Sequence, residues 1–297
     1  MSEWDLLLLA RKLFHDRQYL GTSIPPRNRE LNARRARKLI SEATYDNSYG
    51  FENEVPPDRL RRDPEFSSMQ YIVCEGDTTR VILEADPFSY VSHASALEMH
   101  GLAPAPAELH VSTPERSIWP ILARKRMEDG LGLSFNEAGE DDLPFRLSQP
   151  QPTQLVRGMI VHRHETRDPT TAYALASEAM RVTSIGETFR DTLAKPAWCG
   201  GMTKVASIWR EHARSYANQI IEAVQQSAEK IVRVRAGYLL EEVLGVQDPR
   251  IGTWLADAQR GSSRKLDPAA PYAGRFSARW MLSINLDDPS LPAITVC

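Results

Sequence analysis

The longest helical signal in this chain runs from Thr203 to about Val232, and it constrains the fold more than any other stretch. Val205, Ile208, Trp209, Ala213, Tyr216, Ile220 and Val224 recur at intervals of three and four, so a helix here carries one apolar stripe over roughly five turns. Such a stripe needs a partner surface. A second helix is expected over Arg235–Leu244, ending at Gly245, and a third over about Asp248–Arg260. Strand patterns lie on either side of these helices. In Leu155–His164, Val156, Ile160, His162 and His164 fall on one face and Met159 and Val161 on the other; in Ser277–Leu286, Trp280, Leu282 and Ile284 alternate. The expected class is α+β.

The first 88 residues read differently. Trp4, Leu7, Leu8 and Phe14 stand near helical spacing over residues 3–17, until Gly21 and Pro25-Pro26 break the pattern. The segment RNRELNARRARK follows, with Arg27, Arg29, Arg34, Arg35, Arg37 and Lys38 against one acid, and Leu31, Leu39 and Ile40 as its apolar stripe. This is a basic amphipathic helix. Residues 45–68 are rich in turn-formers, and the apolar runs Tyr71–Cys74 and Val81–Leu83, joined by the polar link Glu75–Arg80, read as a hairpin. Helices followed by a hairpin give the element order of a winged helix-turn-helix. Residues 1–88 are therefore expected to be a divergent winged-helix-like region, and residues 89–297 a larger mixed α/β domain containing the long amphipathic helix.

Charge decides where nucleic acid can bind. With 36 Lys and Arg against 39 Asp and Glu, the formal charge is −3, so any DNA-binding surface has to be local. The six basic side chains of Arg27–Lys38 supply that local field and would begin the phosphate contacts. A palindromic operator would need two such helices about one DNA turn apart, however they are brought together, as a dimer on DNA would do.

Further local signals place the C-terminal elements. Ser92 stands where a helix over Tyr90–Met99 would be capped, and Gly101 stands just past its end. Leu109–Ser112 and Ser117–Leu122 read as short strand or turn segments, and residues 124–154, with the acidic run EAGEDD, as an irregular excursion. Val182-Thr183 begins as strand and turns at Ser184 into a helix that stops before Pro196. Glu187, three residues after Ser184, completes a capping-box spacing.

Candidate chemistry is sparse. His162 and His164 lie two apart on one strand face and could ligate a metal if a carboxylate or a third histidine joined them; otherwise they form an edge-strand pair. His93 and His100, seven apart, read as helix surface and helix end. Ser92 and Ser184 sit in capping contexts rather than in a nucleophile elbow, and no glycine-rich nucleotide motif occurs. Gly200-Gly201 lacks the ending of a phosphate loop. Cys74, Cys199 and Cys297 are odd in number and widely spaced, against a disulfide framework or a cysteine zinc site, and Cys199 reads as a buried hydrophobe. The N-terminus lacks a signal-peptide pattern and no stretch is long and apolar enough to cross a bilayer, so a cytoplasmic protein without membrane contact is expected. The residues by themselves assemble no active site and call for no cofactor.

One family pattern does emerge. SHASALEMHGL (Ser92–Leu102, with Ser92, His93, Ser95, Leu97, His100 and Gly101) resembles the SHxSALxxHGL signature of AbiEi-type proteins, the antitoxins and regulators of abortive-infection E toxin–antitoxin systems. VTSIGETFRDTL, with Thr183, Ser184 and Asp191, resembles the family's VTSxxRTLxDxL stretch, although Glu187 stands where arginine is usual. WCGGMTKV, with Gly200 and Gly201, resembles the CGG turn before a long helix, and VRAGYLLE, with Gly237, Tyr238 and Leu239, the RLGYLLE segment. A closing stretch from Leu266 through Pro268, Pro271 and Gly274 to Trp280 and Asn285 is similar as well. The resemblance implies a non-enzymatic antitoxin that neutralises a co-encoded nucleotidyltransferase-type toxin and represses its own operon by binding operator DNA, with the motif residues serving the fold. Two other readings stay open: a metal-dependent nuclease or hydrolase using His162 and His164 with nearby acids such as Glu165 or Asp168, and a protein-interaction module that does not bind DNA.

Overall fold

The computed structural model describes residues 2, 4–9, 77–132, 146–151, 154–167, 180–258 and 264–295, together with the short strands Gln18–Tyr19 (β1), Thr22–Ser23 (β2), Thr44–Tyr45 (β3), Leu60–Arg62 (β4) and Tyr71–Ile72 (β5) and the strand Tyr173–Ser177. The segment Arg27–Lys38 lies outside the described residues. The fold is α+β with a mixed sheet. By its internal contacts the chain forms two units: Met1–Ser89 with Thr113–Ile160 and Glu165–Arg167, and Tyr90–Ser112 with Val161–His164 and Asp168–Cys297. Among the described residues no helix is long and apolar enough to cross a membrane.

The sheet is built from Tyr90–Val91 (β6), Leu109–Pro114 (β7), Leu155–Val156 (β8), Met159–Thr166 (β9), Tyr173–Ser177 (β10) and Met180–Thr183 (β11). In the second unit the order is β10-β11-β6-β7-β9, with β11 parallel to β6 and β6 antiparallel to β7. Leu109–Ser112 is strand as expected. Leu155–His164 is not one strand but a hairpin, β8 to β9, turned at Arg157 and Gly158. Both turn residues have positive φ, +51° and +77°, the pattern of a type I′ turn, which arginine at the first position conceals in the sequence. Val156 therefore lies opposite Met159 and shares its face, while Ile160, His162 and His164 keep the other.

In the first unit, β4 pairs parallel with β3 and antiparallel with β5. The expected partner of the Tyr71 strand is absent: Thr78–Ala85 is a helix, so the hairpin that would have been the wing does not form. Asp77, read as part of a turn, is the helix N-cap, its side chain accepting from Arg80 N at 2.8 Å, and Arg80 pairs with Glu84 one turn on at 2.9 Å. Burial of Ile82 and Leu83 then outweighs the strand preference of their β-branched neighbours. A second correction is the helix Trp119–Leu131, over residues expected to be a short strand or turn and then an irregular excursion; Pro120 sits in its first turn, where a missing N–H costs nothing. Trp119, Ala123, Met127 and Leu131 form a core with Trp4, Leu6 and Leu7 of the N-terminal helix 4–9. Beside it, buried Asp86 accepts from Thr113 Oγ1 at 2.6 Å and Trp119 Nε1 at 3.2 Å.

The second unit holds the larger core. The long stripe is buried as its spacing requires, Tyr216 only in part, but the helix beneath it is interrupted: Met202–His212, a 3-10 turn at Ala213–Tyr216, then Ala217–Gln225. Ser227 Oγ accepts from Glu229 N at 3.2 Å, a local side-chain bond that competes with helix continuation, and the chain restarts as Lys230–Gly237 followed by a π-helical turn, Tyr238–Val243. The last expected helix is shorter, Pro249–Thr253 with a 3-10 turn at Trp254–Asp257. Ser277–Leu286 is also not one strand: Arg275–Ser277 (β12) turns through Trp280, whose backbone N–H donates to Ser277 Oγ at 3.0 Å, into Leu282–Ser283 (β13), and Ile294–Thr295 (β14) flanks β12. Trp280, Leu282 and Ile284 are nonetheless all fully buried.

Candidate functional site

Two strands and two helical elements of the second unit bring four histidines together. Along Glu108-Leu109-His110-Val111-Ser112 the period of two places Glu108, His110 and Ser112 on one side of β7. The neighbouring strand β9 presents His162 and His164 with the same period. The rings stack across the two strands: His162 on His110 (centroids 4.8 Å apart, planes at 17°), His110 on His164 (5.3 Å, 12°), and His164 on Trp198 (3.8 Å, 22°) of the 3-10 turn Pro196–Cys199. His93, first residue of the helix His93–Met99, packs edge-on against Trp198 at 4.9 Å and lies 4.5 Å from His164. Its backbone occupies the left-handed region at φ +52°, a strained conformation for a residue with a Cβ.

Hydrogen bonds fix these rings. His110 Nδ1 and His164 Nε2 are 3.0 Å apart, and the His110 backbone N–H donates to Ser95 Oγ at 2.9 Å. His93 Nδ1 pairs with Ser92 Oγ at 2.8 Å, and Ser112 Oγ donates to Ser92 Oγ at 2.9 Å. Ser92 thus holds the N-cap position as expected, but its hydroxyl serves the histidine cluster instead of capping the helix. At the open end, His162 Nε2 meets Glu108 Oε2 at 2.5 Å. Their side chains are 42% and 44% exposed.

Burial, more than anything else, pushes His93 and His164 down to about 3; the remaining pull on His164 comes from His93, His110 and His162, and on His93 from His110, Arg190 and Lys195. His110 is lowered by burial and by His162, against the opposing charge of Glu108. At neutral pH these three imidazoles are uncharged, with lone pairs available for hydrogen bonding or ligation. The donor atoms of Glu108, His110 and His162 all lie within 4.8 Å of one another. This revises the expected ligand pair: His164 spends its Nε2 on His110, so His162 is joined by His110 and Glu108, from a strand whose sequence drew no attention. The alternation of Glu108, His110 and Ser112 was the available signal.

The remaining motif residues form the framework. Leu97 is core, and Gly101 at φ +69° ends its helix as expected. His100 ends the helix as expected, and its Nε2 bonds the Thr183 carbonyl at 2.7 Å, whereas His93, expected on the helix surface, is buried. Thr183 Oγ1 pairs with Thr188 Oγ1, and Ser184 Oγ accepts from Glu187 N at 3.3 Å, the expected cap, while the Glu187 carboxylate pairs with Arg190. Asp191 also pairs with Arg190, at 2.9 Å, and burial pushes its carboxyl upward. Gly200 and Gly201 turn the chain at φ +88° and +90°, and Cys199 is a buried thiol that burial pushes up. A Cβ on Gly237 would collide with the Trp280 ring, while Tyr238 and Leu239 fill the core beside it. Asn285 donates to the carbonyls of Asp267, Ala270 and Pro271 and accepts from Asp267 N, tying down the loop of the closing stretch.

No family model matches the chain, and no curated protein is similar to it. The crystal structure of the RV2827C protein from Mycobacterium tuberculosis aligns over 95% of this chain and 91% of that one, at 13% identity and a TM-score of 0.43. Likeness at that level carries no argument about fold or function.

Proposed function

We propose that this protein is a cytoplasmic antitoxin and operon regulator of the AbiEi type. In this reading the second unit engages a co-encoded nucleotidyltransferase-like toxin, and Arg27, Arg29, Arg34, Arg35, Arg37 and Lys38 contact operator DNA. The observation that supports it is the convergence of the resembling segments. The helix His93–Met99 packs on Ile185–Ala194 and on the turn Pro196–Cys199; His100 holds Thr183; buried Arg235 donates to the Leu193 carbonyl at 2.6 Å; Gly237 receives Trp280. Segments scattered over residues 92–285 thus build one scaffold, and most of their residues serve packing and capping.

Two measurements test the two halves. The full-length protein should shift a fragment carrying its own promoter at low salt, and substituting Arg34, Arg35 and Arg37 together by alanine should weaken binding and flatten the dependence of log K on log salt by roughly 2–3. Co-expression should rescue growth from the nucleotidyltransferase-like product of an adjacent gene. Absence of both the shift and the rescue overturns the proposal; rescue without a shift leaves an interaction module that does not bind DNA.

A further inference from the structure

The regulatory reading gives no role to the open end of the histidine cluster. We propose that Glu108, His110 and His162 form a binding site for one divalent transition-metal ion of the zinc class. Two imidazoles and one carboxylate are the donor set such ions select, whereas calcium and magnesium favour all-oxygen shells. Their donor atoms already lie within 4.8 Å of one another. Around a tetrahedral zinc with bonds of about 2.0–2.1 Å, ligand atoms stand roughly 3.3 Å apart, so the 2.5 Å contact of His162 with Glu108 has to open by about 0.8 Å while His110 closes in. The two residues that part, Glu108 and His162, are half exposed.

The surrounding contacts say which atoms bind. His110 Nδ1 is engaged by His164, which leaves its Nε2 for the ion and gives the ring the orienting partner that metal-bound histidines characteristically have. His162 already directs Nε2 toward Glu108. His93 is excluded, because its Nδ1 is held by Ser92 and its ring is wedged against Trp198. His110 and His162 stand on two neighbouring strands, with the His110 backbone pinned to Ser95 and Glu108 directly preceding the first strand, so two of the three donors are held on rigid backbone. Exposure at Glu108 and His162 provides the entry path, and three protein ligands leave a fourth position for water or an incoming group.

The test uses the full-length protein, stripped with a chelator and titrated with zinc chloride against a chromophoric competitor. One equivalent should bind, and Glu108→Gln, His110→Ala and His162→Asn should each lower the affinity at least tenfold. His164→Phe, which removes only the orienting partner, should lower it by about tenfold. Cobalt-loaded protein should show the intense visible bands of a four-coordinate ion, lost in His162→Asn. Glu108→Gln and His162→Asn change half-exposed side chains, so they report even where His110→Ala does not fold, and their metal-free thermal unfolding should match that of the parent. Absence of binding by the parent, or unchanged affinity and stoichiometry in these two variants, overturns the site. The outcome is independent of whether the protein binds operator DNA.

Discussion

Two regions of the second unit solve the same problem, bringing distant residues into contact, in opposite ways. Around Gly237 and Trp280 the solution is exclusion: a position without a side chain admits a fully buried indole, and nothing polar is exchanged across the contact. Around His110 and His164 it is satisfaction: imidazoles stack at 4.8 and 5.3 Å, each buried ring nitrogen that bonds doing so to a named partner. The first region is indifferent to protons and ions and intolerant of volume. The second responds to anything that alters the charge of a ring.

The largest effect that would break this contrast lies in the first region. Trp280→Ala should destabilise the protein by about 3–5 kcal/mol, the cost of emptying a large buried site. Gly237→Ala should cost about 1–3 kcal/mol through overpacking, because the ring cannot retreat without disturbing Leu282 and Ile284. Combined, the two should cost less than their sum, since the added methyl enters the space the indole vacates. Urea unfolding checks this, and strict additivity would show that the contact does not govern the packing. Neither substitution should change zinc affinity.

The contrast also explains what the sequence disclosed. The Ser184 cap, the Gly101 helix end and the buried stripe from Val205 to Val224 were legible because each is decided within four residues of chain. Helix breaks were less so: Ser227 competes for a backbone bond with one weak hydroxyl contact, and Asp77 offers the same signal to a turn and to a helix start. The histidine site was half legible. His162 and His164 announce themselves as a pair, but Glu108 and His110 join them only through the pairing of β7 with β9, across some fifty residues, and no local pattern fixes strand order. Gly237 and Trp280 each fall in a resembling segment, yet nothing in the sequence pairs them.

The second region should reveal itself through acid. His93 and His164 are pushed down to about 3 in the folded protein, against about 6.5 in the unfolded chain. Between those values the unfolded state binds more protons, so their contribution is complete above pH 6.5 and is lost progressively as the pH falls toward 3. From pH 7 to pH 5 the loss should be about 2 kcal/mol for each histidine. His164→Phe keeps a flat ring against Trp198 but cannot take a proton, and should remove its share of the slope. An equal slope in that variant would place the acid sensitivity elsewhere, whereas Trp280→Ala should shift the whole curve down without changing its slope.

The smallest effect separates two serines that occupy the same position in their helices. Ser184 caps, accepting from Glu187 N, so Ser184→Ala should cost about 1 kcal/mol, the ordinary worth of an N-cap, at any pH between 5 and 7. Ser92 stands at the N-cap of His93–Met99 but makes no capping bond; its hydroxyl accepts from Ser112 Oγ and bonds His93 Nδ1. Ser92→Ala therefore strips partners from two buried polar groups and should cost about 1–3 kcal/mol. Its cost should also shrink in a His93→Phe background, because the bond to the ring is then already gone, while the cost of Ser184→Ala should not. If both serines behave alike in that background, Ser92 is an ordinary cap, and the histidine cluster does not extend into the helix that precedes it in the chain.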